Sequence, residues 1–347
     1  MAHVSEGSFD ADQINQIRLS VSRPTSSEWS QVHLLRERLE RASLLVDPVI
    51  RRWATDRCLR RYLRARSHNL DRALDMIRRS IQWRLEYHPE QRFCRACKAN
   101  PRSHTYRRVG RTLTGQPVMF STFVGVENYD PADNIEHLSS GIEHAVGVNA
   151  RWPDLDPFPE TYVWVLDFAG FHARHLSPGV GRASLALFSD HYPERLQLAI
   201  IHDAPAIFRG LWFALKPFID RQTCKKILFI RRAHAAKLFE RIFPPELCEW
   251  LEKELREVRD KRVAREKQWW REWCPAWDDD KKPLSELFPG VVIPEKGPLE
   301  GNSRCTQWIR MGAVDDAMEV SKNSDETFYD AMENDFGSST FARHHAA

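Results

Sequence analysis

The 347-residue sequence predicts an α/β protein in which a small helical unit precedes a mostly parallel sheet covered by helices. Three observations carry this. Up to about Leu85 the apolar residues recur at helical spacing. After Pro101 strand-like and helix-like segments alternate, the pattern of parallel strands joined by crossover helices. The segment Tyr162-Val163-Trp164-Val165-Leu166-Asp167-Phe168 is apolar almost throughout, which suits a strand buried on both faces.

Taken in order, residues 1–30 are polar, with Pro24 set among Ser22, Thr25, Ser26 and Ser27, and are expected to be disordered. Residues 31–98 form the helical unit. Its first helix runs from Val32 to about Leu45, ending before Asp47-Pro48, and its second from Ala54 to Arg66. A third follows the N-cap Asn69, with Leu70, Leu74, Ile77, Ile81 and Leu85 on one stripe and Arg72, Arg78 and Arg79 outside. Residues 99–245 hold the sheet. Strands are expected at 107–109, 117–124, 162–168, 198–201 and 227–230, with a turn around Gly115 and helices near 134–151, 183–191 and 205–218. Residues 246–273 read as a charged, solvated helix along one edge, supported by pairs such as Glu252 with Arg256 and Glu257 with Lys261. The tail, 274–347, is acidic and expected to be largely disordered.

Composition bounds the function. A hydrophobic content of 42% supports a sizeable core. Seven scattered cysteines, an odd number, do not form a disulfide framework and fit a reducing, cytoplasmic setting. No run approaches the roughly 18 apolar residues of a membrane span, and no secretory or lipidation pattern is present, so any membrane contact is expected to be peripheral. The net charge of +3 conceals an asymmetry: residues 51–111 carry 18 Lys/Arg against 5 Asp/Glu, whereas 275–347 carry 7 against 14. The basic end suits an anionic membrane surface. No base-reading motif accompanies it, so nucleic acid is not expected as a partner.

No Gly-x-Ser-x-Gly elbow, Gly-x-x-x-x-Gly-Lys loop or His-Glu-x-x-His helix occurs, and no enzymatic activity is expected. Cys94 and Cys97 make a lone Cys-x-x-Cys flanked by His88 and His104. The usual second ligand pair at tight spacing is missing, so no metal is expected. The segment 205–218 is unusual for a surface helix, because Ile207, Phe208, Leu211, Trp212, Phe213, Leu215 and Phe218 cover nearly its full circumference. It is either an inner core helix or a lid over an apolar pocket, with Pro205, Gly210 and Pro217 as breaks.

Several segments resemble a known family. Leu59 to Arg66 followed by Asn69-Leu70-Asp71-Arg72-Ala73-Leu74 is similar to the N-terminal unit of CRAL-TRIO proteins, and Tyr192-Pro193-Glu194-Arg195-Leu196 to their Tyr-Pro-Glu-Arg signature. Ala204-Pro205-Ala206-Ile207-Phe208, Trp212, Lys216-Pro217-Phe218-Ile219-Asp220 and Thr223-Cys224-Lys225-Lys226-Ile227 also match, in order and at family spacing across about 35–245. The resemblance is to the yeast phosphatidylinositol-transfer-protein type. It implies a CRAL-TRIO fold gated by the 205–218 helix, with Ile207, Phe208, Leu211, Trp212, Leu215 and Phe218 lining an acyl pocket. It also implies that Arg66, Glu194, Thr223 and Lys226 hold an inositol phosphate headgroup. The implied ligand is one phospholipid, with no other cofactor.

Three features depart from the family: Ser67 stands where many members carry a second cation, Tyr162 and Trp164 replace small hydroxyl residues of phosphatidylcholine binders, and Phe243 to Trp250 replaces a Gly-Gly ending. Transfer between membranes, lipid sensing by a scaffold and binding of another hydrophobic ligand all remain open. In the tail, Phe328, Tyr329, Asp330, Ala331 and Glu333 resemble the two-phenylalanines-in-an-acidic-tract motif, departing at Thr327. That resemblance implies docking to a VAMP-associated protein at endoplasmic reticulum contact sites.

Overall fold

The computed structural model describes residues 25–147, 160–175, 177–216 and 219–267. It opens with four helices, α1 (Ser26–Arg41), α2 (Pro48–Trp53), α3 (Asp56–Ala65) and α4 (Leu70–Tyr87). The side chains of Thr25, Asp47, Thr55 and Asn69 each accept backbone amides at the helix starts, contacts worth roughly 0.5–2 kcal/mol apiece. Thr25 forms a capping box with Glu28, so residues 26–30, expected to be disordered, are helical. Asp47-Pro48, read from sequence as a stop, is also a start: Asp47 caps α2 and Pro48 occupies its first turn, where a missing amide hydrogen costs nothing.

On α4 the buried face runs through Ala73, Met76, Ile77, Ser80, Ile81, Trp83, Arg84 and Tyr87, whereas Leu85 is 41% exposed. The expected stripe is thus corrected at its carboxyl end. The cause is a second neighbour: Met76, Ile77 and Ile81 pack on the helical unit, but Trp83 and Tyr87 pack with Tyr106, Ile135 and Ile142 of the following domain. The arginine excess is corrected in the same way. Arg61, Arg84 and Arg107 are buried and paired with Glu160, Glu143 and Glu254, while Arg51, Arg52, Arg72, Arg78 and Arg79 stay exposed.

A short helix, α5 (Arg95–Ala99), leads into a five-stranded sheet in the order β1-β2-β3-β4-β5. Strand β1 (Arg107–Arg111) is antiparallel to β2 (Pro117–Thr122), and β2, β3 (Tyr162–Asp167), β4 (Leu196–His202) and β5 (Ile227–Ile230) are parallel. The crossovers hold α6 (Pro131–Val146), α7 (Pro178–Ala186) with a π turn at Leu187–His191, then α8 (Ala206–Leu215) and α9 (Arg221–Lys225). Helices α10 (Arg232–Ile242), α11 (Pro245–Glu257) and α12 (Lys261–Glu266) complete the described chain.

Register decides what each sheet face carries. Val118, Val163 and Leu198 form one row and Phe120, Val165, Ile200 and Leu228 the next. These rows are sealed by Leu238 and Phe239 of α10 and by Leu247, Trp250, Leu251 and Leu255 of α11. The stretch expected to be a solvated helix over 246–273 is therefore core at its amino end, and the domain continues past 245. Its apolar residues follow a helical stripe that the intervening charges obscure in sequence. On the opposite face Met119, Trp164, Ala199 and Ile227 form a row, followed by Ser121, Leu166, Ile201 and Phe229. Trp164, Leu166, Ile227 and Phe229 are only half-buried there.

Candidate functional site

The connection from the π turn to β4 carries the signature segment. Tyr192 is buried and donates to Glu143 Oε1 at 2.8 Å, and buried Arg195 donates to the Glu160 carbonyl at 2.9 Å. Burial pushes the Arg195 guanidinium down to about 10. Both ends of the segment are thus fixed by the fold. Between them Glu194 adopts φ +56°, a left-handed conformation that costs a non-glycine residue on the order of 1 kcal/mol or more.

That backbone turn brings the Glu194 carboxylate to Lys226 Nζ, 2.8 Å away and only partly shielded from solvent. Lys226 is held by α9. Asp220 caps this helix by accepting the Gln222 and Thr223 amides, the Lys226 amide donates to the Thr223 carbonyl at 3.0 Å, and the Lys226 carbonyl accepts from Ala199 at 2.8 Å. Glu194 and Lys226 therefore meet where β4 and β5 begin, with Thr223 joined to Lys226 through the backbone. Arg66 caps the carboxyl end of α3 and is half-buried; burial lowers its pKa against the pull of Asp190, with Arg79 and Arg72 adding repulsion. It belongs to the Asp190 end of the same connection.

Helix α8 is placed over the half-covered sheet face. Its N-cap is Pro205, with no side-chain cap bond. Phe208 packs against Phe168 at a ring-centroid distance of 4.3 Å and Trp212 against Phe229 at 5.5 Å, whereas Ile207 is 53% exposed. The Leu211 and Leu215 side chains and Phe218 lie outside the described residues, as do Phe328, Tyr329, Asp330, Ala331 and Glu333 of the tail. Sequence reasoning missed Phe123, Phe168, Phe171, Ile201 and Phe229, which complete the apolar cluster around Phe208. Continuous apolar strands give no periodicity by which to assign their faces.

Tyr162 and Trp164 fill space toward the other end of this face. Trp164 Nε1 donates to Ser121 Oγ at 2.8 Å and its ring meets Tyr106 edge-on at 5.1 Å. Tyr162 is fully buried, which raises its phenol pKa. No described helix is long and apolar enough to cross a membrane.

Residues 108–250, which span both sheet faces, the signature segment and the beginning of α11, match the family model of the CRAL/TRIO domain. Over that stretch the chain is similar to the CRAL/TRIO domain. It is 27% identical over 232 residues to a CRAL-TRIO domain-containing protein of Schizosaccharomyces pombe, covering 61% of this chain and 50% of that protein. It is 25% identical over 242 residues to the phosphatidylinositol transfer protein CSR1 of Eremothecium gossypii, covering 65% and 55%. The crystal structure of Sfh5 matches with a TM-score of 0.43 and 14% identity over 68% of this chain and 85% of that one. These matches span about half the length of the curated relatives.

Outside the CRAL/TRIO site a second group of reactive side chains is assembled. The second ligand pair that the Cys94–Cys97 spacing lacked is supplied by His104 and by His137 of α6, and the expectation on that point is corrected. His88 is not part of the group and lies instead 3.9 Å from Glu90. His137 is 40 residues from Cys97 in sequence, a distance no local motif covers.

Proposed function

We propose that this CRAL/TRIO domain binds one phospholipid, with phosphatidylinositol as the preferred headgroup, and transfers or presents it between membranes. The observation that carries this reading is the half-covered apolar face of the sheet beneath α8, set beside the accessible Glu194–Lys226 pair. Roughly thirty acyl methylenes at about 0.8 kcal/mol each must leave a bilayer, so the protein has to offer an apolar surface of matching extent. Trp164, Leu166, Ile227, Phe229 and Phe208 supply the walls. Lys226 offers a cation for a phosphate, Glu194 and Thr223 accept or donate to inositol hydroxyls, and Arg66 adds positive charge from the α3 side.

A choline headgroup is disfavoured by Tyr162 and Trp164, which fill the space that small hydroxyl residues would leave open. The name of one relative, the phosphatidylinositol transfer protein CSR1, supports the phosphatidylinositol headgroup. The exposed arginines of the helical unit draw the protein to anionic leaflets at about 1 kcal/mol per nearby cation. Native mass spectrometry followed by lipid extraction, together with a vesicle transfer assay, tests the proposal. One copurifying phosphatidylinositol per chain and measurable transfer are expected. Protein free of lipid that moves none between vesicles overturns it.

A further inference from the structure

Cys94 caps the amino end of α5, where its Sγ accepts from the Cys97 amide at 3.4 Å. One turn further, Cys97 brings its own sulfur to the same point. His104, from the loop ahead of β1, places Nδ1 3.4 Å from Cys94 Sγ and 3.3 Å from Cys97 Sγ. His137, from α6, places Nδ1 3.5 Å from Cys97 Sγ. All four ligand atoms lie within 4.8 Å of one another, and all four residues are buried. A tetrahedral ion with metal–sulfur bonds of ~2.3 Å and metal–nitrogen bonds of ~2.0 Å sets its sulfur and nitrogen ligands roughly 3.5 Å apart. The three sulfur–nitrogen separations of 3.3, 3.4 and 3.5 Å match that figure.

The surroundings favour ligation over a casual contact. His137 Nε2 lies 2.8 Å from the Tyr106 carbonyl, which can only accept. That nitrogen therefore carries the proton, and in the neutral ring Nδ1 presents a bare lone pair to the cluster. The two imidazoles stack at 4.5 Å, which orients His104. Next to His137, Glu136 accepts from the Arg95 amide at 3.0 Å and from Arg95 Nε at 3.2 Å, fixing α5 against α6. Without an ion, the two thiols meet the two imidazoles through weak sulfur hydrogen bonds.

We propose that Cys94, Cys97, His104 and His137 bind one zinc ion in a closed, structural site. Two thiolates and two imidazoles suit zinc, and four protein ligands leave no position for substrate. The ion fastens the connection between the helical unit and the sheet to α6, which is packed on the same domain.

The test is metal analysis of the full chain, purified without a metal-affinity tag and dialysed. One zinc per chain is expected, and cobalt(II) in its place should show tetrahedral d–d bands with thiolate charge transfer. Cys97→Ser and His137→Gln should each lose the zinc, whereas Cys224→Ser, outside the group, should keep it. Wild-type protein with no zinc, a Cys94–Cys97 disulfide found by mass spectrometry, or zinc retained in both ligand variants overturns the assignment. If the ligand variants fail to fold, the wild-type zinc content and cobalt spectrum decide alone.

Discussion

Arg84 donates to the Glu143 carboxylate with neither side chain exposed, and Tyr192 donates to the same carboxylate oxygen. One acidic group thus joins α4, α6 and the signature segment. Removing Glu143 leaves the buried Arg84 with the Glu90 carboxylate at 3.3 Å, so the loss should fall toward the lower end of the about 3–5 kcal/mol that breaking a buried pair costs. Glu143→Leu is expected to lower the urea midpoint by that measure, and Arg84→Met with Glu143→Leu to recover much of it. A double variant no more stable than the single one would contradict a charge-based origin.

For the headgroup site, Lys226→Ala and Glu194→Ala should each reduce phosphatidylinositol transfer about tenfold, the equivalent of one charge-assisted contact of about 1.4 kcal/mol. Because the pair is partly exposed, stability should change by less than about 1 kcal/mol. The swap Lys226→Glu with Glu194→Lys restores an ion pair but reverses the charges offered to a phosphate. Full transfer activity in the swap would show that only the pair, not its orientation, matters.

Helix α8 gives a paired prediction. Phe208→Ser and Trp212→Ser should lower lipid occupancy, read by native mass spectrometry, more than they lower thermal stability. Ile207→Asp, at an exposed position, should weaken vesicle binding while shifting stability by no more than about 0.5 kcal/mol. Severe unfolding with unchanged vesicle binding would return α8 to the role of an inner core helix.

Acid should destabilise the protein partly through His191. Burial against Trp83, with Arg84 and Arg79 adding repulsion, pushes its pKa down to about 3. The unfolded chain binds this proton at about pH 6.5 and the folded chain does not. Stability from this group is complete above pH 6.5 and falls by about 1.4 kcal/mol per unit as pH drops toward 3. His191→Gln should flatten that slope in unfolding titrations between pH 6 and pH 4, whatever its effect at neutral pH.

The acidic tail supplies a partner prediction independent of the fold. A peptide spanning Ser321 to Phe336 is expected to bind a VAMP-associated-protein domain at micromolar strength, with Phe328 and Ala331 in apolar pockets and Asp330 against a basic residue. Phe328→Ala should abolish the complex in calorimetry. A wild-type peptide that shows no heat of binding would leave the tail without this role.

Much of the architecture was legible because local chemistry and global pattern agree. Asn69 caps α4 as its sequence demands, and Ile227–Ile230 forms a strand with the expected bounds. Failures cluster where one element serves two neighbours or hides its stripe among charges. Arg84 reads as a surface residue until its partner Glu143, 59 positions away, is brought beside it. Trp250 and Leu251 are lost among glutamates. Of the candidate site, Glu194, Thr223 and Lys226 were recoverable from contiguous motifs, whereas Phe168 and Phe229 depended on strand register. His137 depended on the packing of α6 beside α5, which no spacing rule expresses.

Neighbouring residues of one strand here answer to different selective demands. Along β3, Val163 and Val165 sit in a filled interior, while Trp164 and Leu166, one step away, border the half-covered side. A substitution at the first pair is judged by whether the chain folds at all. One at the second pair changes the shape and polarity of the open side and leaves the sealed layer intact. Alternate residues of three strands can therefore change the half-covered side while the sealed layer stays intact on the far side of the same backbone.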